Sequence, residues 1–299
     1  ALARDDGPAA FEAMHRVLDK VWDEMYRVLI PGGFICINIG DATRTLAGNF
    51  QLYANHARIL QHCLQLGFCN LPAIIWRKQT NAPNKFMGSG MLPAGAYVTL
   101  EHEYILVLRK GKKRAFASAE EKALRQESAF FWEERNAWFS DVWFDIKGSR
   151  QKMNRDDVRT RSGAFPFEVA HRLVCMYSVK GDTVLDPFGG TGTTALAAVA
   201  AERNSVLVEI DPTLTKIAQN SLKEDAIATG NATIETRLKN HRRYVEEKGA
   251  EFFKYQNEPH GFPVKTRQEK NILLRSLCRR TSKKNEVVFT YATKVPNDN

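Results

Sequence analysis

Nine residues constrain this chain more than any others. Asp186-Pro187-Phe188-Gly189-Gly190-Thr191-Gly192-Thr193-Thr194 links a short apolar strand, Thr183-Val184-Leu185, to a small-residue helix that starts near Ala195. Three glycines within four positions permit a tight turn and let backbone amides approach a ligand closely. A Walker phosphate loop requires Gly-Lys-Ser/Thr, and this loop has no lysine. Gly190-x-Gly192-x-x-Ala195 matches the dinucleotide fingerprint better. An ordinary strand-to-helix turn, with glycine used for packing, is the simplest alternative. It leaves two nearby acids unexplained.

Those acids set the sign of the ligand. Asp186 ends the strand, four residues before Gly190. A carboxylate repels a pyrophosphate and attracts an ammonium or a sulfonium. Glu209 ends the next apolar strand, Ser205-Val206-Leu207-Val208, 17 residues after Gly192. An acid at about that spacing accepts from ribose hydroxyls. S-adenosylmethionine carries both cations, a ribose and no phosphate, so it fits where a dinucleotide does not.

At 299 residues the chain has room for one large domain or two small ones. A hydrophobic fraction of 43% suits a globular core. No apolar run approaches the length of a membrane span, and no secretory signal opens the chain. The net charge of +9 favours a polyanionic partner. Cys36, Cys63, Cys69, Cys175 and Cys278 are scattered and odd in number. That argues against a zinc site or a disulfide framework and for a reducing cytoplasm.

Along the chain, apolar spacing at Phe11, Met14, Leu18, Val21, Met25 and Val28 predicts a helix over 11–29, stopped by Pro31-Gly32-Gly33. Residues 34–39 read as a buried strand. A second helix is expected at about 51–66, with Leu52, Ile59, Leu60, Cys63 and Leu64 inward. Strands at 71–76 and 102–108, and helices at 167–178 and 213–226, complete the pattern. Strand alternating with helix predicts an α/β fold with a mostly parallel sheet and helices on both faces. Residues 79–100 read as a long irregular loop, a length usually functional or disordered. The aromatics of 130–144 (Phe130, Phe131, Trp132, Trp138, Phe139, Trp143, Phe144) read as a core rather than a stacking platform. Residues 254–299 hold ten Lys/Arg against four acids and read as a small appended module or a tail. Asp41 ends a strand; it suits either a cleft or a cap and is left unassigned.

The glycine loop resembles the first motif, D-P-F-x-G-x-G-T-T, of the amino-group DNA methyltransferases, which methylate N4 of cytosine or N6 of adenine. Further stretches match that family in order. Tyr26-Arg27-Val28-Leu29-Ile30-Pro31-Gly32-Gly33 resembles its R-V-L-K-P-G-G helix end, and Trp76-Arg77-Lys78-Gln79-Thr80-Asn81-Ala82-Pro83 its W-x-K-x-x-N-x-P stretch. His102-Glu103-Tyr104-Ile105-Leu106-Val107 resembles a strand pattern, and Arg161 to Phe167 the motif lining the methionine end of the cofactor. The matches cover about residues 20–220. The resemblance implies a Rossmann-like S-adenosylmethionine-dependent methyltransferase fold in the circularly permuted beta-group order. It implies a methyltransferase domain over 1–235, with a base-handling half at 1–110. A target-recognition region within about 79–160 and a cofactor half at 161–235 follow. Residues 236–299 form a basic extension.

On that resemblance Asp186, Phe188, Gly190, Gly192, Thr193, Glu209, Phe165 and Pro166 would bind S-adenosylmethionine, with S-adenosylhomocysteine as product. Phe165 and Pro166 could equally be core residues starting a helix. Double-stranded DNA would be the partner, and a cognate restriction endonuclease system the setting. DNA contacts are expected from Arg109, Lys110, Lys112, Lys113 and Arg114, and from Lys147, Arg150, Lys152 and Arg155, unless these form an ordinary solvated charge run. Six phosphate contacts would give a slope of about −5 in log K against log[salt]. Asn81 lies near the target base by resemblance or forms a turn with Pro83, and Asn84 and Lys85 could read base edges. No metal is needed.

The family's catalytic signature, S/D/N-P-P-Y/F, is not in the chain, which contains no Pro-Pro pair. It is expected upstream of Ala1. A separate polypeptide carrying it, or a degenerate non-catalytic binder of DNA and cofactor, are the alternatives. The reading is therefore a DNA methyltransferase acting on an exocyclic amine, N4 of cytosine ahead of N6 of adenine. A dinucleotide oxidoreductase is the remote alternative. Oligomeric state and recognition sequence are left open.

Overall fold

The computed structural model describes residues 7–46, 48–78, 87–147, 165–283 and 286–293. The chain divides into two compact units, Ala1–Ala115 with Ser140–Gly148, and Phe116–Phe139 with Ser149–Asn299.

The first unit opens with α1 (Gly7–Val28), which starts four residues before the expected helix. Strand β1 (Phe34–Ile39) follows. A hairpin of β2 (Ala42–Leu46) and β3 (Asn49–Tyr53) leads to α2 (Asn55–Gln65). Then come β4 (Phe68–Asn70), β5 (Ile74–Arg77), a two-rung hairpin of β6 (Met87–Gly88) and β7 (Ala96–Tyr97), β8 (His102–Lys110) and β9 (Val142–Trp143). The expected helix over 51–66 is therefore shorter at its start. Asn49-Phe50-Gln51-Leu52-Tyr53 alternates with period two and pairs with β2, so Leu52 sits on an exposed ribbon. Leu64, also expected inward, is exposed, while Ile59 and Cys63 are buried as expected.

Strand β8 organises this unit. It pairs antiparallel with β1, β4 and β5, and β5 pairs in parallel with β9. Its Ile105-Leu106-Val107-Leu108 run is buried throughout, as in a strand covered on both faces. Trp22 of α1, with Ile59 and Cys63 of α2, packs with Ile37, Phe68, Leu106 and Leu108. Across α1 and α2, Arg58 reaches Asp19 at 2.8 Å and Glu12 at 3.0 Å. The C-terminal carbonyls of α1 are met from β8: Lys110 Nζ donates to Tyr26 O at 2.6 Å and Leu29 O at 2.8 Å. Gly32, at φ 80°, passes so close to Arg114 that an added Cβ would lie 2.5 Å from its backbone nitrogen.

The second unit carries α3 (Ala119–Glu127), α4 (Trp132–Trp138), α5 (Phe167–Tyr177), β10 (Thr183–Asp186), α6 (Thr193–Ala200), β11 (Asn204–Leu207), α7 (Pro212–Glu224) and α8 (Ala226–Lys248). Two short pairs close it, β12 (Tyr255–Gln256) with β13 (Pro263–Val264), and β14 (Leu277–Lys283) with β15 (Glu286–Tyr291). Strands β10 and β11 are parallel, joined through α6 as a strand–helix–strand unit.

The described residues of 255–293 are not a loose tail. Phe262, Val264, Ile272, Leu274 and Leu277 share one core with Val199 of α6 and Ala226, Ile234 and Leu238 of α8. Polar groups fasten the same segment. Asn257 is fully buried and donates to the carbonyls of Glu269 (2.8 Å) and Ile272 (3.0 Å). The buried Glu269 carboxylate accepts from Trp132 N and Thr266 N. Lys180, 5% exposed, pairs with Glu202 at 2.8 Å and donates to Leu273 O. Arg275 holds the other oxygen of Glu202. Burial pushes the Lys180 ammonium below its ordinary range, and the Glu202 charge opposes that shift. Helix α8 runs unbroken across residue 235.

The aromatics of 130–144 are largely interior: Phe131, Trp138 and Trp143 are buried, while Phe139 and Phe144 are exposed. Because Ile272 is fully buried, Ile272→Ala is expected to lower stability by about 2–5 kcal/mol. Urea unfolding followed by tryptophan fluorescence measures this. An unchanged midpoint would show that the C-terminal segment contributes nothing to the core.

Candidate functional site

The glycine loop is built by its own carboxylates. Asp186 ends β10 half-buried. Its Oδ1 accepts from Phe188 N at 2.9 Å and its Oδ2 from Thr194 Oγ1 at 2.6 Å. Glu209 lies two residues past β11. Its Oε2 accepts from Gly190 N at 2.7 Å and its Oε1 from Asp211 N at 2.8 Å. One carboxylate thus ties the first loop to the second. Gly189 N adds a bond to Val208 O at 2.8 Å. Asp211 caps α7 through Thr213 N at 2.8 Å.

Two glycines are needed for different reasons. Gly190, at φ 51°, has open space where a Cβ would stand, with only Phe188 O at 3.7 Å. Gly192, at φ 87°, is the N-cap of α6, and its Cβ would press on Ala218 of α7 at 3.0 Å. The first supplies backbone conformation, the second conformation and close helix approach.

Large apolar side chains stand in the open around these acids. Phe188 is 52% exposed, Val208 55% and Ile210 98%. Exposed apolar surface beside anchored carboxylates suits a ligand with a flat ring and hydroxyl or cationic groups. Each carboxylate has about four lone-pair sites and uses two on the loop, so capacity remains for a ligand. Two acids, Asp186 and Glu209, are bonded to the loop where a pyrophosphate would have to lie. The residues present fit S-adenosylmethionine.

Sequence reasoning missed Ile210. The available signal was an apolar residue directly after a strand-ending acid, in Glu209-Ile210-Asp211-Pro212. Thr193 opens α6, half-buried. Phe165 and Pro166 lead into α5, where Pro166 is the N-cap and Phe165 packs beside Trp138, Ala170 and Val174. Those neighbours give Phe165 a packing role.

The expected DNA residues divide. Asn81, Asn84, Lys85, Arg150, Lys152 and Arg155 lie outside the described residues. Lys112 and Lys113 are exposed on the turn after β8. Lys110, expected among the DNA contacts, has its ammonium spent on the α1 carbonyls and stacked 4.8 Å over Tyr26. Arg109 Nε donates to Gly111 O. Trp76 is fully buried, with Nε1 bonded to Ile146 O, and Lys78 pairs with Glu103. Asp41, unassigned from sequence, accepts from the backbone of His56 and pairs with its ring at 2.7 Å, a structural role.

A strand, a glycine turn and a helix, with an acid at the end of each of two parallel strands, define the Rossmann-like methyltransferase class. The model of the N6/N4 DNA methylases, described as DNA methylase, matches residues 3–220. The chain belongs to that family. It is 49% identical over 290 residues to the Type II methyltransferase M.MthZI of Methanothermobacter thermautotrophicus, covering 96% of this chain and 80% of that one. It is 49% identical over 212 residues to the Type II methyltransferase M.MjaI of Methanocaldococcus jannaschii, covering 71% and 68%. The Thermus thermophilus protein TTHA0409, solved in complex with S-adenosyl-L-methionine, is 36% identical over 70% of this chain and 76% of that one, with a TM-score of 0.59. The α/β class, the S-adenosylmethionine cofactor and the DNA amino-methyltransferase activity expected from sequence therefore hold.

The two glycines give a paired test. Gly190→Ala is expected to cost about 1–2 kcal/mol from its left-handed backbone alone. Gly192→Ala adds the clash with Ala218, a further cost of about 1–3 kcal/mol. Calorimetric titration with S-adenosylmethionine is expected to show the larger affinity loss in Gly192→Ala. Equal losses would remove the packing role of Gly192.

Proposed function

We propose that Asp186 and Glu209 hold the two ends of S-adenosylmethionine for methyl transfer to an exocyclic amine of DNA, N4 of cytosine or N6 of adenine. The observation that carries this is the pair of half-buried carboxylates anchored by loop amides at the ends of β10 and β11. Asp186 offers its remaining lone pairs to the methionine ammonium. The N-terminus of α6 at Thr193 favours the carboxylate. Glu209 accepts from the ribose hydroxyls. Ile210 and Phe188 cover the adenine faces and keep water from them. When bound, the cofactor supplies an electrophilic methyl group on its sulfonium.

The amine is conjugated into its ring and paired in the duplex, so the base must be extruded at a cost of a few kcal/mol. Fixing donor and amine in line supplies much of the rate. Lys112 and Lys113, exposed after β8, contact DNA phosphates. We place the protein in the cytoplasm, in a restriction–modification setting with a cognate endonuclease. No described helix is long and apolar enough to cross a membrane.

Asp186→Asn keeps one acceptor for the loop and removes the charge; Asp186→Ala removes both. If charge binds the ammonium, both variants weaken S-adenosylmethionine binding by about tenfold or more, the scale of a charge-assisted hydrogen bond. An Asp186→Asn variant with parental affinity would reduce Asp186 to a loop brace. Digestion of DNA exposed to labelled cofactor is expected to place the label on N4-methylcytosine or N6-methyladenine. Label at C5 of cytosine would overturn the amine reading. Lys112→Ala with Lys113→Ala is expected to make the salt slope of DNA binding less negative by about 2. An unchanged slope would return both to plain surface charge.

A further inference from the structure

The matched family model ends at residue 220. Most described cations beyond it that lie near the core have structural partners. Arg237 holds Glu134, Arg275 holds Glu202, Lys270 pairs with Glu258 at 2.9 Å, and Lys265 donates to Phe252 O. Among the described residues, Lys239, Lys254 and Arg267 are exposed singly without an ion pair, and three more cations stand together on β14. Arg279, Arg280 and Lys283 are exposed, and none forms an ion pair among the described residues. Glu286 stands opposite Lys283 in register without pairing to it.

The ribbon that carries them is firmly mounted. Leu277 is buried, and both its backbone groups are clamped by Asn231 of α8, at 2.7 and 3.0 Å. Phe289 and Tyr291 of β15 pack against the same core, and Tyr291 Oη donates to Val199 O at 2.7 Å. Cys278 to Lys283 are then exposed in succession. Cations on an edge strand can simply deter edge pairing. That role is sequence-local and leaves DNA binding untouched, so the two uses separate experimentally.

We propose that the β14–β15 ribbon is a second DNA contact that grips phosphates without reading bases. It rests on the reading of the protein as a DNA methyltransferase. Arg279 and Lys283 are four residues apart on one strand, about 13 Å. That spans about four nucleotide steps at about 3.4 Å each. A cation at each end of one face matches a repeating anionic backbone, and Thr281 between them adds a hydroxyl donor; Arg280 and Ser282 lie on the other face, opposite Phe289 and Val287 in register. A two-stranded ribbon is also narrow enough to follow a groove. The contact adds affinity common to all sequences and leaves sequence choice to other residues.

The test uses the full chain with S-adenosylhomocysteine and two long duplexes of unrelated sequence, read by fluorescence anisotropy over a salt series. The triple variant Arg279→Ala, Arg280→Ala, Lys283→Ala is expected to bind both duplexes about tenfold or more weakly, and by the same factor. Its slope of log K against log[salt] is expected to be less negative by about 1.8, one phosphate each for Arg279 and Lys283. Cofactor affinity and melting temperature stay at parental values, and Arg279→Lys with Arg280→Lys retains the parental slope. A triple variant with the parental slope, or a loss confined to one sequence, overturns the ribbon contact. A parent that binds neither duplex overturns the DNA-methyltransferase reading itself, whereas a binding parent matched by its triple variant overturns the ribbon alone.

Discussion

The carboxylate of Glu209 is the joint on which the glycine loop turns. One oxygen takes the amide of Gly190 and the other the amide of Asp211, so the loop after β10 and the loop after β11 share one anchor. Charge-assisted bonds of this kind are short and directional, and they fix the loop before any ligand arrives. Asp186 repeats the device on the other side through Phe188 N and Thr194 Oγ1. Both acids thus serve the loop first and a ligand with what capacity remains. An electropositive donor suits such a place, because each anchoring carboxylate still presents net negative charge.

The strand–helix–strand unit depends in turn on what is packed behind it. Helix α6 is built largely of alanine with leucine and valine, and small side chains allow α5, α7 and α8 to approach closely. The C-terminal segment supplies the bulky partners, Phe262, Ile272, Leu274 and Leu277. The Lys180–Glu202–Arg275 group joins the same layers electrostatically. Removing one member would leave a buried charge without its counterion, which is the costly way to lose such a pair. Fold support for the glycine loop therefore extends well beyond the residues the family shares.

Much of the glycine-loop geometry was legible because its signals are local. Glycine spacing, two strand-ending acids and a 3.6-residue apolar period each report within a short window. The basic run after β8 was harder. Lys110 sits in the run Arg109-Lys110-Gly111-Lys112-Lys113-Arg114, where nothing local tells an exposed cation from one folded back onto a helix end. Leu52 fits a helical and an alternating period equally, and only its pairing with Thr43 across the ribbon decides. The C-terminal segment read as a basic appendage because its apolar residues are spaced irregularly. Their meaning comes from α6 and α8, far away in the chain. Ile210 lacked any periodic neighbour, and its near-complete exposure needed the fold to be seen.

The bond from Lys110 Nζ to the end of α1 has a bearing on how the first unit assembles. Partners separated by 84 residues complete the helix terminus, so its last turn cannot be fully satisfied until β8 is in place. Contacts of such long range slow the search for the native chain path. The opening helix of this unit is thus among the last segments to be finished, and its end and the central strand stand or fall as a single cooperative piece.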